Sequence, residues 1–382
     1  MLKLIPALAG VIITTVLMAQ HKVTVRIGSL PPHHAAGSDI FIVGTFNGWN
    51  PNDVNYRFQH TSTGYEIHLS LADGDYEYKV TRGGWNKVEC KKDGSAIDNH
   101  LLKVTTDTSL TLDIEEWSDR FPAHKRASTA SKNVHIVDTA FFIPQLNRTR
   151  RIWIYLPEEY ERTVEHYSVL YMQDGQNVFD EATAFADEWG IDEYFDKIAD
   201  RGITTIVIAI DNGGSKRMNE YSPYDTEKFG KGEGDDYVDF LVKTVKPFID
   251  QHYRTKQDKA NTTIAGSSMG GLISLYAIIK YPDVFGGAGI FSPSLWIAPK
   301  LFDEIKLKGP SINSKIYFYS GKNEGGSMAE DTRRAYEIMK QYSPSKLTLD
   351  VMEDGKHDEP SWRKEFPKFY EWMREEGKIK NE

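Results

Sequence analysis

Gly266-Ser267-Ser268-Met269-Gly270-Gly271 follows the β-branched run Thr262-Thr263-Ile264 and precedes the apolar stretch 272–279. A Gly-x-Ser-x-Gly segment between a strand and a helix predicts a tight elbow. Glycine lets the two backbones approach, and the central serine is held strained with its hydroxyl exposed. That makes Ser268 the expected nucleophile; the plainer alternative is a Gly/Ser turn that merely joins a strand to a helix. A serine hydroxyl is a poor nucleophile at neutral pH, so a histidine base and an orienting acid should follow, in the order serine, acid, histidine. His357, in Asp354-Gly355-Lys356-His357-Asp358-Glu359-Pro360, stands in the loop between the last strand and the last helix and is the expected base. His124 and His135 precede the serine, and His252 sits in a helical pattern suited to a surface role.

The acid belongs in the loop after the strand Ile316-Tyr317-Phe318-Tyr319, which reads Ser320-Gly321-Lys322-Asn323-Glu324-Gly325-Gly326. Glu324 is the first carboxylate there, and the flanking glycines let the loop bend inward. Glu330 and Asp331 are its rivals, but they open the next helix, where acids offset the helix dipole. An oxyanion hole needs two backbone amides, one from Met269 and one from a loop after an earlier strand. The strand Val169-Leu170-Tyr171-Met172 runs into Gln173-Asp174-Gly175-Gln176-Asn177, where Gly175 is expected to allow unusual backbone angles. The amide of Gly175 or Gln176 is the expected second donor; an ordinary strand-end turn is the alternative.

The elements that must position these residues are legible around them. Strands near 151–156, 168–172, 204–210, 262–265, 286–291, 315–319 and 347–352 alternate with helical patterns at 235–252, 270–280, 330–342 and 360–373. Strands alternating with helices predict an α/β, doubly wound, mostly parallel sheet with helices on both faces. Ahead of it, 20–116 carries short alternating runs near 23–27, 40–43, 65–69 and 76–80 between Gly, Asn, Asp and Pro turns, the pattern of a small β-sandwich. The stretch 117–133 is mostly small and polar and reads as a linker, leaving 134–382 for the second domain.

The chain has 382 residues, and its 40% hydrophobic content gives enough apolar material for two cores. A net charge of −9 gives no electrostatic reason to expect nucleic acid as a partner. Residues 1–19 have a lysine near the start, an apolar middle and a small residue at the end, which predicts a cleaved signal peptide and an exported, periplasmic or extracellular protein with no membrane anchor. Cys90 is the single cysteine, so no intramolecular disulfide forms, and it reads as an apolar filler. No cysteine cluster or His-x-x-x-His pair suggests a metal, and no cofactor is expected.

Several separated segments together resemble a known family: 171–177, Glu188-Trp189-Gly190-Ile191-Asp192, Arg217-Met218-Asn219-Glu220-Tyr221-Ser222-Pro223, 266–271, Tyr281-Pro282-Asp283-Val284-Phe285 and Gly355-Lys356-His357. Over residues 134–376 the chain resembles the esterase family of α/β-hydrolases that includes esterase D, enterochelin esterases, feruloyl and acetyl-xylan esterases, and mycolyl transferases. The resemblance implies Ser268 as nucleophile, His357 as base and an acid in the loop of Glu324, although many members are expected to carry aspartate there. It also implies Arg217 and Trp296 as substrate-cleft residues; a salt bridge to Glu220 and core packing are their alternatives.

Val43-Gly44-Thr45-Phe46-Asn47-Gly48-Trp49-Asn50-Pro51, the run 76–85 and Ile97-Asp98-Asn99 resemble immunoglobulin-like early-set domains that bind starch or glycogen. The resemblance implies Trp49 and Trp85 stacking on sugar rings, with Lys79 and Asn99 bonding the hydroxyls; the alternative is that the tryptophans pack in the core or at an interface. The expected function is a secreted carboxylic-ester hydrolase acting on an acylated carbohydrate, such as a feruloyl or acetyl ester. A siderophore esterase or acyltransferase would share the triad, and a non-catalytic glycan-binding protein is the reading from another class.

Overall fold

The structure is a computed structural model that describes residues 20–62, 64–121, 126–202, 205–227 and 229–374. The expected signal segment 1–19 lies outside the described residues. The chain divides into two compact units, Met1–His124 and Lys125–Glu382.

In the first unit, Gln20–Ser29, Gln59–Thr61, Gly64–Ala72 and Thr108–Asp113 form one sheet, and Phe41–Gly44, Gly74–Thr81 and His100–Val104 form a second. Alternation along each strand sends one face inward. Val23, Val25, Ile67 and Leu69 from the first sheet meet Ile42, Tyr78, Val80 and Val104 from the second in a single core. Trp117 is buried in that core, and Glu116–Trp117 pairs with Glu89–Cys90, so the start of the expected linker belongs to this unit. Cys90 is buried, and desolvation together with nearby carboxylates pushes its thiol up to about 11, which leaves it an inert filler.

The second unit holds eight strands: β1 (Val134–Ile143), β2 (Arg148–Tyr155), β3 (Ser168–Gln173), β4 (Thr205–Ile210), β5 (Thr262–Ser267), β6 (Gly287–Phe291), β7 (Lys315–Gly321) and β8 (Lys346–Met352). Their order is β1-β2-β4-β3-β5-β6-β7-β8, parallel from β4 onward and antiparallel at β1-β2 and β2-β4. Sheet period two divides each central strand between two cores. Ile206, Ile208 and Ile210 face one core while Val207 and Ala209 face the other; Ile316 and Phe318 oppose Tyr317 and Tyr319 in the same way. Gly234–His252, Met269–Lys280, Leu301–Lys308 and Met328–Tyr342 cover the first face, and Ile191–Ile198 and Glu359–Arg374 the second.

β1 escaped the sequence reading because register shifts after Ile136 and Asp138 break its alternation, and only Phe141 and Ile143 are buried at this sheet edge. The helix expected over 235–252 contains a π-turn at Leu241–Val245 just ahead of Pro247, which has no N–H to return to the preceding turn.

The expected linker differs most from its reading. Ser128 Oγ and the Thr129 amide donate to Asp180 at 3.0 and 3.2 Å, Thr129 Oγ1 to Glu188 at 3.0 Å, and the Ser131 amide to Asp192 at 2.7 Å. The small polar residues of 126–133 therefore cap buried carboxylates of the second unit. Burial pushes Glu188 up to about 7 and Asp192 up to about 8, in each case with help from Glu193.

Candidate active site

The carboxyl ends of the parallel strands converge, and every residue of the site leaves from one of them. After β5 the chain turns through Ser268, at φ 58° and ψ −123°, directly into the helix Met269–Lys280. That conformation is costly for a residue with a side chain. The Ser268 amide donates to the Phe291 carbonyl at 2.9 Å, and the Ser294 amide donates to the Ser268 carbonyl at 3.1 Å, so the turn is held from both sides. A Cβ on Gly266 would stand 2.8 Å from the Gly270 backbone, and one on Gly270 would stand 3.0 Å from Asp174 Oδ2, which explains both elbow glycines. Ser268 is half-buried and Ser267 buried, so Ser268 presents the accessible hydroxyl. Its Oγ lies 3.2 Å from Ser294 Oγ.

β7 ends at Gly321, and the following loop turns Glu324 inward until its side chain is 1% exposed. Ser292 Oγ donates to Glu324 Oε1 at 2.6 Å, the Gly321 amide donates to the same oxygen, and Ser320 Oγ reaches Oε2 at 3.3 Å. His357 Nδ1 lies 3.4 Å from Oε2. The two loops can meet because Gly321 and Gly355 pack backbone on backbone: a Cβ on Gly321 would strike the Gly355 carbonyl carbon at 2.3 Å. Trp362 meets the His357 ring edge-on, with centroids 5.1 Å apart, and its indole N–H donates to Ser292 Oγ at 2.9 Å. Glu330 and Asp331 sit in the first turn of Met328–Tyr342, where Asp331 accepts from Ser327, so Glu324 is the acid brought to His357. Among the described residues Ser268 Oγ bonds Ser294 and not His357, and in ligand-free hydrolases such bonds often tighten only with substrate.

β3 runs into Asp174, at φ 55° and ψ 50°, and a single 3-10 turn Gly175–Asn177. The unusual backbone angles expected of Gly175 belong to Asp174 instead. Gly175 is required by proximity, since a Cβ there would stand 2.7 Å from the backbone of Ile210 and 2.8 Å from that of Asp211. The amides of Met269 and Gln176 make no hydrogen bond among the described residues. Asn177 Nδ2 donates to Glu359 Oε1 at 3.0 Å, and burial, assisted by Asp174, pushes the Glu359 carboxyl up to about 7.

Arg217 does not pair with Glu220. Its Nε and Nη2 donate to Asp174 Oδ1 and Oδ2 at 2.6 and 2.8 Å, while Glu220 is held by Arg148 and Arg150. Trp296 is 40% exposed, edge-on to Phe229 at 6.1 Å, which removes core packing as its explanation. Ser292, Ser294, Trp362 and Asp174 were not singled out from the sequence as site residues; their neighbourhood in Phe291-Ser292-Pro293-Ser294 and Gln173-Asp174-Gly175 was the signal available.

In the first unit the half-buried rings of Trp49 and Trp85 lie 6.1 Å apart with a 36° tilt. Trp49 has φ 59°, following Gly48 in the left-handed region, and its amide donates to the Gly44 carbonyl at 2.9 Å. Lys79 donates to the Ile97 carbonyl, and Asn99 Nδ2 donates to Glu77 at 2.8 Å, so both polar residues are engaged with their own unit. Burial draws the Lys79 ammonium below its ordinary range. Among the described residues no group of three or more His, Cys, Asp or Glu is placed to hold a metal, and no helix is long and apolar enough to cross a membrane.

The chain is similar to several known proteins. An alpha-amylase of Niallia circulans is 36% identical over 102 residues, 26% of this chain and 8% of that one. An endo-1,4-beta-xylanase/feruloyl esterase of Xylanibacter ruminicola is 25% identical over 235 residues, 60% of this chain and 30% of that one. The crystal structure of enterochelin esterase from Shigella flexneri superposes with a TM-score of 0.52 at 13% identity, covering 92% of this chain and 91% of that one, a likeness of fold. The family model described as "Putative esterase" matches residues 143–373, well over half of the chain, and the chain belongs to that esterase family.

Proposed function

We propose that the chain is a serine carboxylesterase that works through an acyl-enzyme on an acylated carbohydrate. The observation that carries this reading is the strained, half-exposed Ser268 at the elbow together with the buried Glu324 that contacts His357. Ser268 Oγ attacks the ester carbonyl carbon while His357 Nε2 takes its proton, and the amides of Met269 and of Gln176 or Gly175 hold the developing oxyanion. His357 then gives that proton to the leaving alkoxide. A water molecule, deprotonated by His357, attacks the acyl carbon, the acid departs and Ser268 recovers its proton. Glu324 keeps the imidazole oriented and stabilises its charged form. Trp296, exposed two residues past Ser294 in the chain, is the candidate to contact the ester. The relatives that are an endo-1,4-beta-xylanase/feruloyl esterase and an alpha-amylase support a glycan ester as substrate, with Trp49 and Trp85 as the sugar platform. The signal-peptide pattern of residues 1–19 supports export of the enzyme.

The test is turnover of p-nitrophenyl acetate, feruloyl and acetyl glycan esters and a cyclic siderophore ester by the wild type, Ser268→Ala and Ser267→Ala. Loss of all turnover in Ser268→Ala, with Ser267→Ala active and the glycan esters preferred, is the expected result. An active Ser268→Ala variant overturns the mechanism, and preference for the siderophore ester overturns the substrate class.

A further inference from the structure

Asp174 adopts a left-handed backbone conformation, one that aspartate takes more readily than most residues with side chains, and all its polar atoms are engaged. Oδ1 accepts from Arg217 Nε at 2.6 Å and Asn212 Nδ2 at 2.7 Å, and Oδ2 accepts from Arg217 Nη2 at 2.8 Å. Its amide donates to the Tyr221 hydroxyl at 3.2 Å, and its carbonyl accepts from the Asn177 amide at 2.8 Å. The next two residues are Gly175 and Gln176, whose amides are the candidate oxyanion donors. Asn212 also donates its amide to Gln176 Oε1 at 3.1 Å, so one residue fastens both ends of this short turn.

We propose that Arg217 is a positioning residue: through the two-pronged ion pair with Asp174 it sets the left-handed turn that aims the amides of Gly175 and Gln176 at the oxyanion. The inference rests on the esterase reading of the site. A planar guanidinium fixes both oxygens of a carboxylate, and so fixes the side-chain torsions and the backbone that bears them, whereas an ammonium grips at one point. Arg217 acts on the chemistry only through Asp174. Its effect therefore belongs to the transition state, when negative charge reaches the loop, and not to the binding of the neutral ester.

The experiment uses the full chain, Arg217→Lys and Asp174→Asn, with active sites counted by a fluorophosphonate. It reads kcat and KM on p-nitrophenyl acetate and the inhibition constant of a boronic acid, which adds to Ser268 as a tetrahedral anion. The expected result is a kcat per active site about 10- to 100-fold lower in both variants, KM within about 3-fold of wild type, and boronate affinity weakened in proportion to kcat/KM, on the scale of losing part of an oxyanion donor. A raised KM with unchanged kcat would make Arg217 a substrate-binding residue, and unchanged boronate affinity would show the hole intact; either overturns the proposal. A drop in countable sites at constant kcat per site assigns the pair to folding alone and overturns it too. A wild type inert to ester, fluorophosphonate and boronate is the distinct failure of the esterase reading, and the proposal falls with it.

Discussion

Replacing Ser292 with alanine removes one hydroxyl that makes two bonds in a fully buried place: it donates to Glu324 at 2.6 Å and accepts from the Trp362 indole at 2.9 Å. A hydrogen bond to a charged group contributes about 1.5–3 kcal/mol net, and an abandoned buried donor costs about 1–3 kcal/mol. The expected loss of stability is therefore about 3 kcal/mol, or a melting temperature lower by roughly 6–12 °C for a unit of this size. Turnover should fall as well, because Glu324 loses one of the two donors that hold Oε1 and leave Oε2 toward His357. A share of about 1.4 kcal/mol expressed at the transition state is about a 10-fold drop in kcat. The assay is p-nitrophenyl acetate turnover per active site in a double-mutant cycle with Glu324→Gln, at a temperature where all variants are folded. If Ser292 acts through Glu324, its penalty shrinks to less than about 2-fold in the Glu324→Gln background. A 10-fold penalty that survives there refutes the reasoning.

Glu324→Gln should lower kcat by about 10³-fold or more, less completely than Ser268→Ala, while Glu330→Gln and Asp331→Asn stay within about 2-fold; a collapse in either of the latter reassigns the acid. Asp192 is held up to about 8 by burial, against a usual carboxylate value of 3.8, so the folded chain keeps a proton that the unfolded chain releases. Its contribution to stability is full below 3.8, declines by at most about 1.4 kcal/mol per pH unit, and is exhausted above about 8. The melting temperature of Asp192→Asn relative to wild type should accordingly rise between pH 5 and pH 8 and then level; a pH-independent difference would refute the assignment. Trp49→Ala and Trp85→Ala should each weaken binding of soluble starch or β-cyclodextrin by about 10-fold, measured by calorimetry, without changing kcat on p-nitrophenyl acetate; an unchanged affinity removes the sugar platform.

The elbow was legible because its chemistry is local: Gly266, Ser268 and Gly270 act on one another within a single turn, and strand and helix patterns flank them. Glu324 was legible as the first carboxylate past a strand. The residues that support them were not, because their partners are remote in the chain: Trp362 reaches Ser292 across 70 positions, and Arg217 reaches Asp174 across 43. No local pattern distinguishes an arginine facing substrate from one gripping a carboxylate. The stretch 126–133 failed for a related reason, since small polar residues look the same whether they meet water or the buried acids Asp180, Glu188 and Asp192.

Five non-glycine residues among those described have positive φ: Trp49, Asn147, Asp174, Ser268 and Ser292. Asn147 lies in the turn between β1 and β2, where asparagine is well suited. The other four stand in the aromatic pair of the first unit or around the elbow of the second. Each such conformation costs roughly 1–3 kcal/mol, and glycine would relieve much of it. A lineage freed from the need for turnover would thus drift toward glycine at 268, the one of these positions in the second unit whose side chain holds neither a buried acid nor an ion pair in place, growing sturdier as it fell silent. A laboratory screen for heat resistance alone would be drawn to the same position, and its most robust survivors would include dead enzymes.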